Sequence, residues 1–145
     1  MALRNSLVAS ILILLSFNLI AAEPAALRPT ITDETPAPGK FVKQTADEYK
    51  GTQVYHGLYL PANWEAGKHY PVIVEYAPNN WPEGKVSGRV DDCRMGYGLS
   101  GGRDFIWVVM PYVNTAKKEN QITWWADESA TAAYCVTNLR RICEQ

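Results

Sequence analysis

The chain has 145 residues, with 14 lysines and arginines against 15 aspartates and glutamates. Once a leader is set aside, that length holds one domain and not two. The near-balanced charge forms no basic stripe, which argues against nucleic acid as a partner.

The first 22 residues read as a secretory signal peptide. Residues 1–4 are a short basic start, and residues 7–22 are apolar except for Ser10, Ser16 and Asn18. Ala21 and Ala22 close the run before Glu23 and Pro24. The stretch falls short of the ~20 clean apolar residues of a spanning helix. Cleavage after Ala22 or Ala21 implies an exported protein, periplasmic or extracellular, with no membrane contact after cleavage. Loss of Arg4 leaves 13 basic residues against 15 acidic ones.

Residues 23–50 carry Pro24, Pro29, Pro36 and Pro38 without a sustained period. They read as an exposed, extended leader, with a helical turn near residues 45–49. Residues 51–145 form the folded domain.

In residues 52–60, Val54, His56, Leu58 and Leu60 alternate with Gln53, Tyr55, Gly57 and Tyr59, which predicts a strand. A turn-rich stretch leads to a second strand over residues 70–76, YPVIVEY. The short connection predicts that these two strands pair antiparallel. Residues 77–102 are long, irregular and rich in glycine. They follow the end of a sheet strand, where open α/β sheets place their sites.

Residues 105–110, FIWVVM, leave no polar face. They predict a central strand over residues 105–112, buried on both sides. Its far side is expected to expose apolar surface and an unpaired edge. A polar loop spans residues 113–123. Asp127 then caps a helix running to Cys143, with Glu128 in its first turn and Arg140 and Arg141 in its last. Its apolar face is expected to hold Ala132, Cys135, Val136, Leu139, Ile142 and Cys143. Trp124 and Trp125 are expected to anchor this helix on the sheet. The fold class is α/β: two antiparallel strands, one central strand and one crossover helix.

Several motifs invite chemistry. Gly98-Leu99-Ser100-Gly101-Gly102 matches the nucleophile elbow, but the elbow needs a strand before the serine and a helix after it. Here the glycines precede the strand, so Ser100 is a weak nucleophile candidate. Gly96, Gly98 and Gly101 fit the dinucleotide fingerprint with the same fault of order. His56 lies in a strand and His69 in a turn, and neither has an evident acid partner. Asp91, Asp92 and Cys93 lack a second cluster to complete a metal site, so no metal and no cofactor is expected.

Export makes a disulfide possible among Cys93, Cys135 and Cys143. Cys135 and Cys143 are separated by ~12 Å of helix axis and cannot bond to each other. Cys93 could pair with either one, or the helix cysteines could be small buried residues. Five tryptophans and eight tyrosines raise carbohydrate stacking as an alternative, with Trp64 and Trp81 as the ligand-contact candidates.

The stretch from Tyr55 to Glu144 resembles the N-terminal half of a secreted α/β-hydrolase of the esterase and polyhydroxybutyrate-depolymerase-like group. The resemblance rests on residues 58–61 (LYLP), 67–74 (GKHYPVIV), 105–111 (FIWVVMP) and 138–143 (NLRRIC). It implies an incomplete α/β-hydrolase-like sheet and a serine hydrolase acting on a small-molecule or polymeric ester. Family members often carry His-Gly where this chain has Ala77-Pro78-Asn79-Asn80. The resemblance makes Asn79 and Asn80 the oxyanion-loop candidates, since Pro78 lacks an N–H. It also places the nucleophile, acid and base beyond the last helix. The sequence therefore reads as a truncated or partial hydrolase with no catalytic residue of its own, inactive by itself.

Overall fold

A computed structural model describes residues 28–144 apart from Lys117 and Ala126. The signal peptide expected over residues 1–22, and the leader up to residue 27, lie outside the described residues. Among the described residues the chain forms β1 (Phe41–Gln44), β2 (His56–Tyr59), β3 (Val72–Tyr76), α1 (Met95–Ser100), β4 (Ile106–Met110), β5 (Tyr112–Asn114), β6 (Glu119–Gln121) and α2 (Glu128–Cys143). The fold is mixed α/β.

The main sheet has the order β1-β2-β4-β3. β2 is antiparallel to both β1 and β4, and β3 is parallel to β4. The expected pairing of β2 with β3 does not occur, because β4 lies between them. Trp107, Val108 and Val109 of β4 are each 0% exposed. A strand with no polar face is best covered in the middle of a sheet, with a neighbour at each edge. The parallel β3–β4 pair needs a crossover rather than a tight turn, and residues 77–105 supply it. The open edge accordingly belongs to β3 and not to the central strand. Val74 of β3 is one of the exposed large apolar residues.

The period of two along β4 builds two cores. Trp107 and Val109 join Phe41 and Tyr59 on one face, with Tyr97 of α1 packed against them. Val108 and Met110 join Val54 and Tyr134 on the other, with Leu139 and Ile142 of α2 packed there. The sheet is thus sandwiched between α1 and α2.

The segment read as an exposed leader contains β1. Phe41 and Val42 are buried, and the Phe41 ring stacks on Trp107 with centroids 4.5 Å apart. Gly57 of β2 makes room for it, since a Cβ there would meet Phe41 Cε2 at 2.5 Å. Thr32 runs along the outer side of β1. Its N–H donates to Phe41 O at 3.0 Å and its carbonyl accepts from Lys43 N at 2.8 Å. The turn expected near residues 45–49 is a 3-10 turn, Asp47–Tyr49.

The polar loop also holds more order than its composition suggests. β5 and β6 pair as an antiparallel hairpin, Tyr112 opposite Gln121 and Asn114 opposite Glu119. The glycine-rich stretch is a short helix rather than an open loop. Gly96 of α1 lies against the Trp107 indole, where a Cβ would overlap Cδ1. Gly101 ends α1 at φ +60°, in the left-handed region that favours glycine.

The Asp127 cap is in place, its Oδ1 accepting from Ala130 N at 3.0 Å. The buried face of α2 is rotated from the expected one. Thr131, Tyr134 and Asn138 are buried, whereas Ala132, Val136 and Cys143 are exposed. Hydrogen bonds account for the difference. Val113 N donates to Thr131 Oγ1 at 2.9 Å, Tyr134 Oη meets His56 Nδ1 at 3.0 Å, and Asn138 Nδ2 donates to Tyr134 O at 2.8 Å. These partners give the polar side chains an interior place that the exposed apolar ones lack.

Candidate functional site

β3 and β4 end together at Tyr76 and Met110, which face each other across the sheet. β2 runs the opposite way, so residues 52–55, which lead into it, lie at the same edge. The carboxyl edge of a parallel pair is where α/β sheets collect their ligands. Two features meet there, a polar groove and an exposed aromatic patch.

The groove encloses about 550 Å³, and its lining includes Asp33, Lys43, Tyr55, Arg89, Glu119 and Gln121. Its walls are tied together. Gln53 N donates to Lys118 O at 2.9 Å. Asn120 bonds both main-chain groups of Tyr55, Oδ1 accepting from Tyr55 N at 3.1 Å and Nδ2 donating to Tyr55 O at 2.9 Å. Tyr55 Oη donates to Asp91 Oδ1 at 2.9 Å. Burial, and then that carboxylate, raise the Tyr55 hydroxyl well above its ordinary range. Asp91 also pairs with Arg89 at 3.0 Å, so it serves as an anchor for the groove wall. Among the described residues no three His, Cys, Asp or Glu side chains gather as a metal site.

The aromatic patch joins Trp81, Trp125 and Trp124. Trp81 meets Trp125 edge to face at 6.0 Å, and Trp124 meets Trp125 at 6.2 Å. They are 71%, 47% and 45% exposed for Trp81, Trp125 and Trp124. Trp124 and Trp125 therefore do not anchor α2 on the sheet. The loop after β3 captures them instead, with Asn79 Oδ1 accepting from Trp124 N at 2.9 Å. Asn80 N donates to Ile122 O at 3.0 Å and Asn80 Oδ1 accepts from Gly84 N at 2.8 Å. The two oxyanion-loop candidates thus use these groups to brace the loop that carries Trp81.

Trp64 stands at the other end of the sheet. It lies in the turn after β2, which Asn63 ties to Asp104 just before β4. The structure does not bring Trp64 and Trp81 together. Trp81 finds its companions in Trp124 and Trp125, which were legible as a pair before the helix cap but not as neighbours of residue 81.

Ser100 closes the last turn of α1. Its Oγ donates to Tyr97 O at 3.3 Å and accepts from Gly102 N at 3.1 Å. His56 lies on the opposite face of the sheet, bonded to Tyr134. Burial holds its imidazole down at about 4, against an ordinary 6.5. His69 is exposed in the turn before β3. His56 is on the wrong face to take the Ser100 hydroxyl proton, and the Ser100 hydroxyl bonds to Tyr97 and Gly102 rather than to a histidine.

The cysteines are unpaired. Cys93 is buried on the α1 side, Cys135 packs on the α2 side, and Cys143 is exposed. Cys93 and Cys135 belong to the cores on opposite faces of the sheet, and the structure does not bring them together. Burial and the neighbouring Glu75 push the Cys93 thiol up to about 12, so it is protonated and poorly nucleophilic. Glu75 itself is buried on β3 and accepts from Trp107 Nε1, Gly96 N and Met95 N. A lone acid in the run YPVIVEY was the visible signal for it.

No protein-family model, curated protein or solved structure matches this chain. Among the described residues no helix is long and apolar enough to cross a membrane.

Proposed function

We propose that this chain supplies the amino-terminal part of an exported serine hydrolase acting on ester bonds, and that residues 28–144 do not turn over an ester by themselves. The sheet carries this reading. An antiparallel lead-in, β1–β2, runs into a parallel β3–β4 pair, and α2 follows. From β2 onward, the order of β2, β3, β4 and α2 is the order the resemblance implies; β1 lies outside it. The state of Ser100 supports the second half, since its hydroxyl is engaged in closing α1.

A fluorophosphonate probe, which phosphonylates an activated serine, tests this on the protein as its source exports it. The labelled serine is expected to lie outside residues 28–144. Residues 23–145 alone are expected to leave a nitrophenyl ester untouched. Label on Ser100, or turnover that Ser100→Ala abolishes, would overturn the proposal.

The aromatic patch favours a second reading, a non-catalytic carbohydrate-binding module. Three exposed indoles braced by Asn79 and Asn80 offer flat apolar faces next to polar groups. This reading expects tryptophan emission to shift on adding soluble xylan or cellulose derivatives, and the shift to vanish in Trp81→Ala. An unchanged spectrum would remove it.

A further inference from the structure

We propose that the groove between residues 52–55, Lys43 and β6 is a binding site for a neutral, hydroxyl-rich ligand of saccharide type. It is a different place from the tryptophan patch. Ile122 stands between them, lining the groove while its carbonyl accepts from Asn80 N behind the patch. Gly88 lets this wall form, because a Cβ there would meet Ile122 Cβ at 2.8 Å.

Four observations select the ligand. The volume of about 550 Å³ lies inside the ~300–1,000 Å³ range of small-molecule clefts. The walls are fixed by the Gln53–Lys118 and Tyr55–Asn120 bonds, so little ordering remains to be done on binding. Of the two cations in the lining, Lys43 lies 3.8 Å from Asp33 and Arg89 pairs with Asp91 at 3.0 Å, so neither draws an anion strongly. The lining also offers both donors and acceptors, from Gln53, Asn120 and Gln121, as a ring of hydroxyls requires.

Gln121 adds a specific demand. Its Oε1 accepts from Asn114 Nδ2, but its Nε2 is buried without a partner. An unmet buried donor is unfavourable, and Gln121 gains by turning its amide toward a ligand oxygen in the groove it lines. Polar groups make up the larger part of the lining, which suits a hydroxyl-rich ligand better than an acyl chain. Nothing in this groove depends on ester chemistry elsewhere in the protein.

Calorimetric titration of the exported protein with cellobiose, maltose and xylobiose tests the assignment, with glucuronate and glycine as charged and zwitterionic probes. At least one neutral disaccharide is expected to bind, and Gln121→Leu to weaken it about tenfold. Lys68→Ala, in the exposed turn at the other end of the sheet, is expected to leave that affinity unchanged. Gln53→Ala serves as a second variant, because the Gln53 side chain is exposed and its wall-forming bond to Lys118 O is made by the main chain, which the substitution keeps. It is expected to weaken binding less than Gln121→Leu does. Failure of all three disaccharides would overturn the proposal. So would binding of the charged probes alone, or binding lost in Trp81→Ala but kept in both glutamine variants.

Discussion

Trp107 Nε1 donates to Glu75 Oε2 at 2.8 Å, joining the two parallel strands through their side chains inside the α1-side core. The same carboxyl group accepts from Gly96 N at 2.9 Å and Met95 N at 3.2 Å, so one acid holds β3, β4 and the first turn of α1 together. Glu75→Ala would leave three donors without their acceptor, two of them buried. It is expected to destabilise by about 2–4 kcal/mol in urea unfolding. Trp107→Phe keeps a ring over Phe41 and leaves Glu75 its two main-chain donors, so a smaller loss of about 1–2 kcal/mol is expected. A greater loss for Trp107→Phe than for Glu75→Ala would show that the ring matters more than the acid.

Two glycines are set by close approach. A Cβ at Gly57 would run into the Phe41 ring, and one at Gly96 into the Trp107 indole. Neither ring is a flexible chain end, since each is buried and stacked on the other. Gly57→Ala and Gly96→Ala are each expected to lower stability by about 1–3 kcal/mol. Gly67→Ala meets no atom within 4 Å and provides the comparison for left-handed strain without a clash. Thermal unfolding of the three variants separates the two effects.

The His56–Tyr134 pair predicts an acid limb in the stability curve. In the unfolded chain His56 takes up a proton near its ordinary 6.5, whereas in the fold it resists until about 4. Between those values the unfolded state binds more protons, so stability falls as pH falls. The contribution of neutral His56 is complete above pH 6.5 and lost by about pH 4, on the order of 3 kcal/mol in all. His56→Leu lowers stability at neutral pH by removing one of the partners of the Tyr134 hydroxyl, which keeps its Ala46 main-chain bond, but it should flatten this limb. Urea midpoints across pH 4–7 check it, and an equally steep limb in the variant would assign the slope to carboxylates instead.

Asp127 couples the hairpin to α2. Its Oδ1 accepts from Ala130 N at 3.0 Å, and its Oδ2 accepts from the Thr115 hydroxyl after β5. These bonds, Thr115 first, hold its carboxyl below the ordinary aspartate value. Asp127→Ala is expected to lower the melting midpoint through the lost cap. Thr115→Val should show only part of that loss, because it keeps the Ala130 bond. Helical circular dichroism during melting follows both variants.

What could be read from the sequence was mostly local. Asp127 announced the start of α2, and the unbroken apolar run through Trp107 announced a strand covered on both faces. The order of the sheet could not be read in the same way, because it depends on β4 coming back between β2 and β3 from far along the chain. β1 escaped notice because its buried core is the single pair Phe41-Val42, set among prolines. The buried face of α2 was displaced by Tyr134 and Asn138, whose places are decided by hydrogen bonds to partners remote in sequence or one turn away. At the site, Trp81 was legible as an outward-facing residue. Its neighbours were not, since Asn79 draws Trp124 to it across 45 residues.

The two edges of the sheet are unlike in a way that bears on self-association. Thr32 occupies the outer side of β1 with two main-chain bonds, whereas β3 has no strand beyond it among the described residues. For residues 28–144, growth by strand addition is therefore one-ended. Two copies meeting at β3 would each use up their open edge and stop as a closed pair. An extended fibre would first require Thr32 to be stripped from β1, so this strap acts as a chain terminator against runaway polymerisation.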